Sequence, residues 1–355
     1  MPHWALLVPI AAILALAVSI VAPAHGAVLA ACVPALAAAV LTAVHHAEVV
    51  AHRVGEPFGT LVLAIAVTVI EVALIVSVML AAGAGKATLP RDTIFAAIMI
   101  ISNGVVGVCL LVGGLRHREQ SFRVEGATAG FGALIALATL SLVLPSFTVS
   151  SAGPTYTVPQ LAFAGTASLV LWAVFAFFQT VGHRDYFLPA QAADDEHAHA
   201  PPPSVGLAWA SFALLLVSLV AVIGLAKVLS PSIESALDAA GAPKAVVGIA
   251  IALLVLLPET WAAVRAARAN RMQTSLNLAL GSALASIGLT IPAVAATAVV
   301  LDLPLILGLD PKDMVLLMVT FLVGAITLGT GRTNMMQGAV HLVLFAAFLF
   351  LALVP

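Results

Sequence analysis

The chain has 355 residues, of which 62% are hydrophobic and 8% are Asp, Glu, Lys or Arg, and its formal net charge is −2. Because a soluble globular domain carries about 25% charged residues, this composition excludes one. The apolar residues form runs of about 18 to 25, long enough to cross a hydrocarbon core of about 30 Å as helices. The sequence lacks the alternating segments of about ten residues that indicate a β-barrel. We therefore predict an all-α polytopic membrane protein that contacts the lipid bilayer and binds no nucleic acid.

Eleven apolar runs, separated by polar, Gly or Pro breaks, are predicted to be transmembrane helices. The first has no Lys or Arg before it and is long for a signal peptide, so we interpret it as a helix. A long polar stretch, His183 to Ser204, combines acids, histidines and three consecutive prolines, which is typical of a linker. In chain order, the predicted helices cover residues 4–22, 27–45, 58–82, 93–114, 126–145, 160–181, 206–228, 244–264, 274–300, 313–329 and 334–354.

The helices are predicted to form two inverted repeats. When the first helix is left aside, five helices precede the linker and five follow it, and an odd number per half makes the two halves enter the membrane from opposite sides. The predicted parts are an extra N-terminal helix (1–25), a first five-helix repeat (26–182), a cytoplasmic linker (183–205) and a second five-helix repeat (206–355).

The positions of the fourteen Lys and Arg residues predict a cytoplasmic N-terminus, because basic residues are enriched in cytoplasmic loops. With that orientation, nine of them lie in inner loops and five in outer loops. The inner residues are Arg53, Arg116, Arg118, Arg123, Arg184, Arg265, Arg268, Arg271 and Arg332, and the outer residues are Lys86, Arg91, Lys227, Lys244 and Lys312.

Two glutamates, Glu71 and Glu259, lie well inside predicted helices. Each occupies the second helix of its half, and each helix begins after a Gly-x-Pro sequence, at residues 55–57 and 241–243. Carrying an acid to the middle of a membrane costs about 2.5–3.5 kcal/mol, and such residues usually face a bundle interior or a wet cavity. We therefore expect a functional role, the alternative being a neutral Glu that joins two helices by a hydrogen bond.

Two carboxylates in equivalent positions of two repeats suit the alternate binding of a divalent cation and protons. Ca²⁺ prefers carboxylate oxygens, and neighbouring carboxylates without a cation repel each other and take up protons. A site that binds either, open to each side in turn, would exchange Ca²⁺ for H⁺. The alternatives are Na⁺/H⁺ or K⁺/H⁺ exchange at the same site, or a cation channel. We predict no enzymatic activity, since hydrolase motifs are missing, and no cofactor beyond the transported ions.

Other oxygen ligands are expected near the two carboxylates. Pro258 removes a helix hydrogen bond just before Glu259, which either frees a carbonyl near residue 254 or simply kinks the helix. Ser and Thr in membrane helices also serve as packing residues, so both roles stay open for them. The candidate ion- and proton-binding residues, besides the two acids, are Thr68, Ser102, Asn103, Asn277, Ser282 and, at the cytoplasmic entrance, Glu56.

Two regions around these acids resemble the calcium/proton antiporter (CAX-type) family of the cation/Ca²⁺ exchanger superfamily, in its bacterial calcium (sodium)/proton branch. The first runs from Gly55 to Val72 and continues at Ser102-Asn103-Gly104. The second is Leu257-Pro258-Glu259-Thr260 and continues over residues 280–288.

The resemblance implies a bacterial inner (cytoplasmic) membrane protein in which Glu71 and Glu259 bind the ion and protons, with Asn103 and Ser282 nearby. The chain departs from the commoner pattern Gly-Asn-Ala-Thr-Glu, because residues 66–71 lack the Gly and Asn, and Ala285 replaces a usual Gln. Fewer polar ligands leave the choice between Ca²⁺ and Na⁺ or K⁺ open.

Two clusters are candidates for regulation. His45, His46, Glu48 and His52 are predicted at the cytoplasmic end of the second helix, where they respond to pH, relay protons to the cavity or are interface residues. The acids and histidines of residues 194–199 either bind Ca²⁺ or Zn²⁺ or belong to a solvated tether.

Overall fold

The computed structural model describes residues 1–22, 26–55, 58–82, 87–188, 202–239, 243 and 245–354. Most of them are helical, which confirms the all-α prediction. In chain order the described α-helices are α1 (His3–Val21), α2 (Gly26–Val54), α3 (Phe58–Ala82), α4 (Leu89–Met99), α5 (Val106–His117), α6 (Val124–Ala138), α7 (Val158–Phe177), α8 (Val205–Ala239), α9 (Ala245–Arg268), α10 (Met272–Val300), α11 (Pro311–Leu328) and α12 (Met335–Leu353).

Hydropathy explains why these segments form membrane-spanning helices. Ten helical segments in the described part of the chain are long and apolar enough to cross a membrane, and α4 and α5 belong to one of them, Leu89–His117. The additional helix α3 has 25 residues and contains the apolar stretch Ile65–Ser77. Together they correspond to the eleven predicted helices.

Two predicted helix ends are wrong. α2 continues to Val54 rather than ending at residue 45, and α8 continues to Ala239 rather than ending at residue 228. Within the predicted linker, Arg184–Phe187 form a 3₁₀ helix, and α8 already begins at Val205. Residues 189–201, which include the acids and histidines of residues 194–199, lie outside the described residues.

In the described part of the chain, three of the spans contain a π-helical turn, which adds one residue to the helical repeat and rotates the side chains that follow. One π-helix (Ile100–Val105) joins α4 to α5. The others end α6 (Thr139–Val143) and α7 (Phe178–Gly182). The first holds the predicted Ser102-Asn103-Gly104 sequence, so that sequence does not follow ordinary α-helical geometry.

The chain divides into two compact units. The first comprises Met1–Leu89 and Ala200–Lys244, and in it α2 packs against α1, α3 and α8. The second comprises Pro90–His199 and Ala245–Pro355, and in it α10 packs against α6, α7 and α9, while α5 packs against α9 and α12. Each unit combines helices from both halves of the sequence. The compact units therefore differ from the predicted repeats, and the inverted repeat stays a prediction.

A short antiparallel ribbon lies at one end of the second unit. β1 (Glu119–Ser121) pairs with β2 (Arg332–Asn334), with Gln120 opposite Thr333. Gln120 is buried and its Nε2 donates to the Ala267 carbonyl at 2.9 Å, which attaches the ribbon to the C-terminal end of α9. Six predicted spans separate β1 from β2, and an even number returns the chain to the same side. The pairing therefore agrees with the helix count.

Candidate functional site

Glu71 lies on the buried face of α3. It is 4% exposed, and Thr68, one helical turn earlier, is 5% exposed. Leu74, one turn later, is also buried, whereas Ile65 and Val69 are exposed. This is the pattern of a helix with one inward face. Two of the predicted site residues, Glu71 and Thr68, are therefore neighbours on that face.

Glu259 lies on α9, which continues through Pro258 to Arg268. The glutamate is half-buried. The Thr260 hydroxyl donates to the Leu256 carbonyl at 2.6 Å, a bond within the same helix. Glu71 belongs to the first compact unit and Glu259 to the second.

Ser102 and Asn103 lie in the first π-helix, all six residues of which are buried. This turn packs against α9, α10, α11 and α12 within the second unit. The Ser102 Oγ is buried and has no hydrogen-bond partner among the described residues. Single π turns occur frequently at functional sites, because the extra residue re-aims the side chains around it. The predicted pair thus lies at the most irregular point of its span.

The Asn103 side chain is the centre of a buried polar network. Its Nδ2 donates to the Thr320 Oγ1 at 2.8 Å and approaches the Met99 Sδ at 3.8 Å. Its Oδ1 lies 3.1 Å from the His341 Nδ1, and the His341 Nε2 lies 3.1 Å from the Thr327 Oγ1. None of these side chains is more than 2% exposed. Asn103 therefore binds α11 and α12 as well as its own helix.

Glycines allow α5 and α12 to approach closely enough for this network. A Cβ atom added to Gly338 would lie 2.4 Å from the Leu111 nitrogen and 2.8 Å from the Gly107 carbonyl oxygen. A Cβ added to Gly114 would lie 2.4 Å from the Met335 nitrogen. Small residues of this kind bring helix backbones together in membranes.

The other predicted ligands have different surroundings. Ser282 is half-buried on α10. The Asn277 Nδ2 donates to the Phe187 carbonyl at 2.6 Å, and the Asn277 Oδ1 accepts from the Gln273 Nε2 at 2.9 Å. The bond to Phe187 connects the 3₁₀ helix to α10, so the Asn277 amide has a structural role. Glu56 lies outside the described residues.

Two of the three histidines of α2, His45 and His46, lie within that helix rather than at its end, where they were predicted. His46 is fully buried, and its Nε2 is 2.8 Å from the Ala5 carbonyl oxygen of α1. The His45 ring lies 4.7 Å from the Trp4 ring. His52 alone of the three lies in the last turn and is exposed. His45 and His46 thus join α1 to α2.

His341, Thr320 and Thr327 are absent from the predicted set of site residues. One signal in the sequence could have identified the histidine. It is an ionisable residue inside a predicted span, and the cost that draws attention to Glu71 applies to it as well. The two threonines resemble ordinary packing residues until their partners are known. Within the described ranges, no group of three or more His, Cys, Asp and Glu could hold a metal ion.

The sequence profile of the sodium/calcium exchanger protein family matches residues 24–181 and 210–354. The chain belongs to this family. The match covers most of both halves and confirms the resemblance inferred from the two glutamate regions. This exchanger is accordingly an integral membrane protein that transports cations.

Individual proteins agree with this assignment. The Sinorhizobium fredii protein y4hA is 52% identical over 90% of this chain and 87% of its own length. The sodium-potassium/proton antiporter ChaA of Escherichia coli is 37% identical over 86% of this chain and 83% of its own. A solved structure of the Ca²⁺/H⁺ antiporter protein YfkE aligns with a TM-score of 0.74 over 99% of both chains, at 15% identity. At that identity, the similarity to YfkE shows the fold.

Proposed function

We propose that this exchanger moves Ca²⁺ in exchange for H⁺ by alternating access, with the cation and protons competing for Glu71 and Glu259. The observation that carries the proposal is the position of Glu71, a 4% exposed acid on the inward face of an apolar helix. An acid at such a position costs about 2.5–3.5 kcal/mol, and transport is a common reason for it. Glu259 occupies the corresponding helix of the second half and supplies the other carboxylate.

The pairing of two carboxylates suits the exchange of one divalent cation for protons. Two ionised carboxylates balance one Ca²⁺, and two protons also neutralise them, so the pair has no net charge in either loaded form. A neutral loaded site avoids the cost of moving an unpaired charge through a desolvated state. With one carboxylate ionised and no cation bound, the site would retain a charge. The difference in net charge between the loaded site and the partly protonated, cation-free site would couple the movement of Ca²⁺ to that of H⁺.

A second candidate function has a specific observation in its favour. The Escherichia coli relative, at 37% identity, is named a sodium-potassium/proton antiporter. The missing Asn in residues 66–71 and the Ala at position 285 also reduce the number of polar ligands. A monovalent cation needs fewer anionic ligands than Ca²⁺. Na⁺/H⁺ or K⁺/H⁺ exchange at the same glutamates is therefore the alternative.

We also propose a cytoplasmic N-terminus in a bacterial inner membrane. Arginines gather at the ribbon end of the second unit, where they flank β1, β2 and the adjoining helix ends, and basic residues favour the cytoplasmic side. The opposite end holds Arg91, which pairs with Asp92 at 2.8 Å and Asp310 at 3.5 Å. A C-terminal green fluorescent protein fusion tests the orientation. It would be non-fluorescent with the predicted external C-terminus, and bright fluorescence would reverse the assignment.

The experiment that tests the transport proposal uses purified protein in liposomes with an imposed pH gradient. Internal pH is followed while Ca²⁺, Na⁺ or K⁺ is added outside. Wild type is compared with Glu71→Gln and Glu259→Gln. Glu125→Gln is the matched control, because it makes the same chemical change at an exposed position in the first turn of α6.

The proposal expects Ca²⁺ to dissipate the gradient in the wild type and in Glu125→Gln, but not in the other two variants. A response to Na⁺ or K⁺ with none to Ca²⁺ would support the alternative ion. Exchange at wild-type rates in Glu71→Gln or Glu259→Gln would remove these acids from the coupling site and leave the structural role or a channel.

A further inference from the structure

His341 is a buried ionisable residue that the proposed exchange mechanism does not use. It lies near the middle of α12 and is 1% exposed. Both ring nitrogens have partners on other helices: Asn103 in the π-helix and Thr327 on α11. A buried histidine satisfied on both sides is fixed in orientation, since rotating the ring would break both bonds.

The hydrogen bonds assign the direction of every group in the network. The Thr320 hydroxyl donates its single hydrogen to the Leu316 carbonyl at 2.7 Å, so it can only accept from Asn103. The Asn103 Nδ2 therefore faces Thr320, and the Asn103 Oδ1 faces His341. Because that oxygen only accepts, the His341 Nδ1 carries the hydrogen. In a neutral ring, the Nε2 then accepts from the Thr327 hydroxyl.

This arrangement of hydrogen bonds allows the Asn103 carbonyl oxygen to act as a ligand of a cation. An amide oxygen has two lone pairs, and His341 takes one of them. The other lone pair can serve as a ligand while the first holds the side chain in place. Carbonyl oxygens of this kind complete the coordination of hard cations.

We propose that His341 is a positioning residue for cation exchange: it holds the Asn103 amide so that the oxygen keeps one fixed direction and one lone pair that has no partner among the described residues. The inference rests on the proposed cation exchange. His341 acts through Asn103 and carries no transported proton. The π turn supplies the position of Asn103, the glycines supply the close approach of α12, and His341 supplies the bond that fixes the amide. A ligand whose orientation is already fixed loses less conformational entropy when the ion binds.

The test measures the half-saturating cation concentration and the maximal rate separately in liposomes. His341→Leu removes the donor to Asn103, and we expect the half-saturating concentration to rise about tenfold, the order expected for one hydrogen bond in a buried site. His341→Gln retains an amide N–H and should recover most of the loss. In an Asn103→Ala background, His341→Leu should add little, because the two residues act as one unit.

Thr327→Val provides a milder variant if His341→Leu does not fold. It removes the partner of the Nε2 without adding volume, and the half-saturating concentration should rise by about twofold to fivefold. Thr128→Val is the matched control, because the Thr128 hydroxyl donates only within its own helix and the residue is exposed. It should behave as wild type.

Three results would overturn the inference. The first is a folded His341→Leu variant with the half-saturating cation concentration of the wild type, together with an inactive Glu71→Gln variant. That result would refute the role of His341 and leave the proposed exchange intact. The second is a loss in His341→Leu that His341→Gln does not recover and that shifts the pH profile, since His341 would then act by titrating. The third is additive losses in the Asn103→Ala background.

A measurement without transport decides the point even if no cation is exchanged. Solid-state NMR of ¹⁵N-histidine-labelled protein, with His341→Gln to assign the signal, reports which ring nitrogen carries hydrogen. We expect the neutral Nδ1–H form in the wild type and a changed Nδ1 signal in Asn103→Ala. The Nε2–H form, or an unchanged signal in Asn103→Ala, would show that His341 does not donate to Asn103.

Discussion

Gly338→Ala is the substitution that most directly tests the contact between α5 and α12. The added Cβ would lie 2.4 Å from the Leu111 nitrogen, whereas ordinary contacts begin near 3.4 Å. The obstacles are backbone atoms, which cannot rotate away, so α12 must move outward by about 1 Å. The bond between the His341 Nδ1 and the Asn103 Oδ1, now 3.1 Å long, would then be stretched beyond hydrogen-bonding distance.

The expected cost follows from three contributions. Overpacking costs about 1–3 kcal/mol, and the lost hydrogen bond about 1 kcal/mol. Replacing Gly by Ala inside a helix returns up to about 1 kcal/mol. The net destabilisation is therefore about 1–3 kcal/mol. Gly132→Ala is the matched control, because a Cβ there meets nothing within 4 Å and only the helix-propensity gain remains.

The assay is thermal unfolding in detergent, followed by tryptophan fluorescence, combined with exchange in liposomes. Gly338→Ala should unfold several degrees below wild type, since each kcal/mol corresponds to about 2–4 °C in units of 150–250 residues. It should also raise the half-saturating cation concentration, as His341→Leu does. If Gly338→Ala is as stable as Gly132→Ala, the helices are not packed as closely as described and the reasoning fails.

Three other predictions concern the second unit. Arg91→Met should lower the free energy of unfolding by about 1–3 kcal/mol, because it removes the buried guanidinium that donates to Asp92. Chemical unfolding would measure this loss, and an unchanged midpoint would contradict it. Tyr156→Phe should lower the free energy of unfolding by about 1 kcal/mol in the same measurement, because the Tyr156 hydroxyl donates to the Leu140 carbonyl at 2.6 Å. Burial raises the pKa of this phenol, so the bond should persist at moderately alkaline pH. Asn270 has a φ of 58°, so Asn270→Ala should be about 1 kcal/mol less stable than Asn270→Gly, and equal thermal midpoints would refute a strained backbone there.

Hydropathy predicts the membrane spans well because the bilayer thickness fixes how many apolar residues a crossing needs. The errors at α2 and α8 have one cause. In both sequences the predicted end lies where polar residues begin, at His45 in α2 and at Ser230 in α8. The helices nevertheless continue to Val54 and Ala239. A helix does not have to stop where its residues become polar, because its backbone bonds persist outside the lipid. The apolar pattern therefore predicts the span rather than the whole helix.

The candidate site likewise has one part that can be predicted from neighbouring residues and another that depends on residues far away in the sequence. Glu71 stands out because the cost of an acid in a membrane depends on its own helix alone. The environment of Asn103 depends on residues 217 and 238 positions further along the chain, at Thr320 and His341. No periodicity or spacing connects positions so far apart. The sequence therefore indicates that Asn103 lies in a functional region, while its partners require the fold.

The polar network depends on the close approach of the helices that the glycines allow. An asparagine side chain is short, so a bond from the π-helix to His341 requires the backbones of the two spans to approach unusually closely. Gly107 on α5 and Gly338 on α12 permit that approach, and a Cβ at either position would meet the opposite helix at about 3.0 Å or less. Glycine lowers helix stability by up to about 1 kcal/mol at each position. The hydrogen bond it allows is worth a similar amount, so stability alone does not account for the arrangement. A fixed direction for the Asn103 oxygen does account for it, which is why variants of His341 should alter cation affinity more than they alter folding.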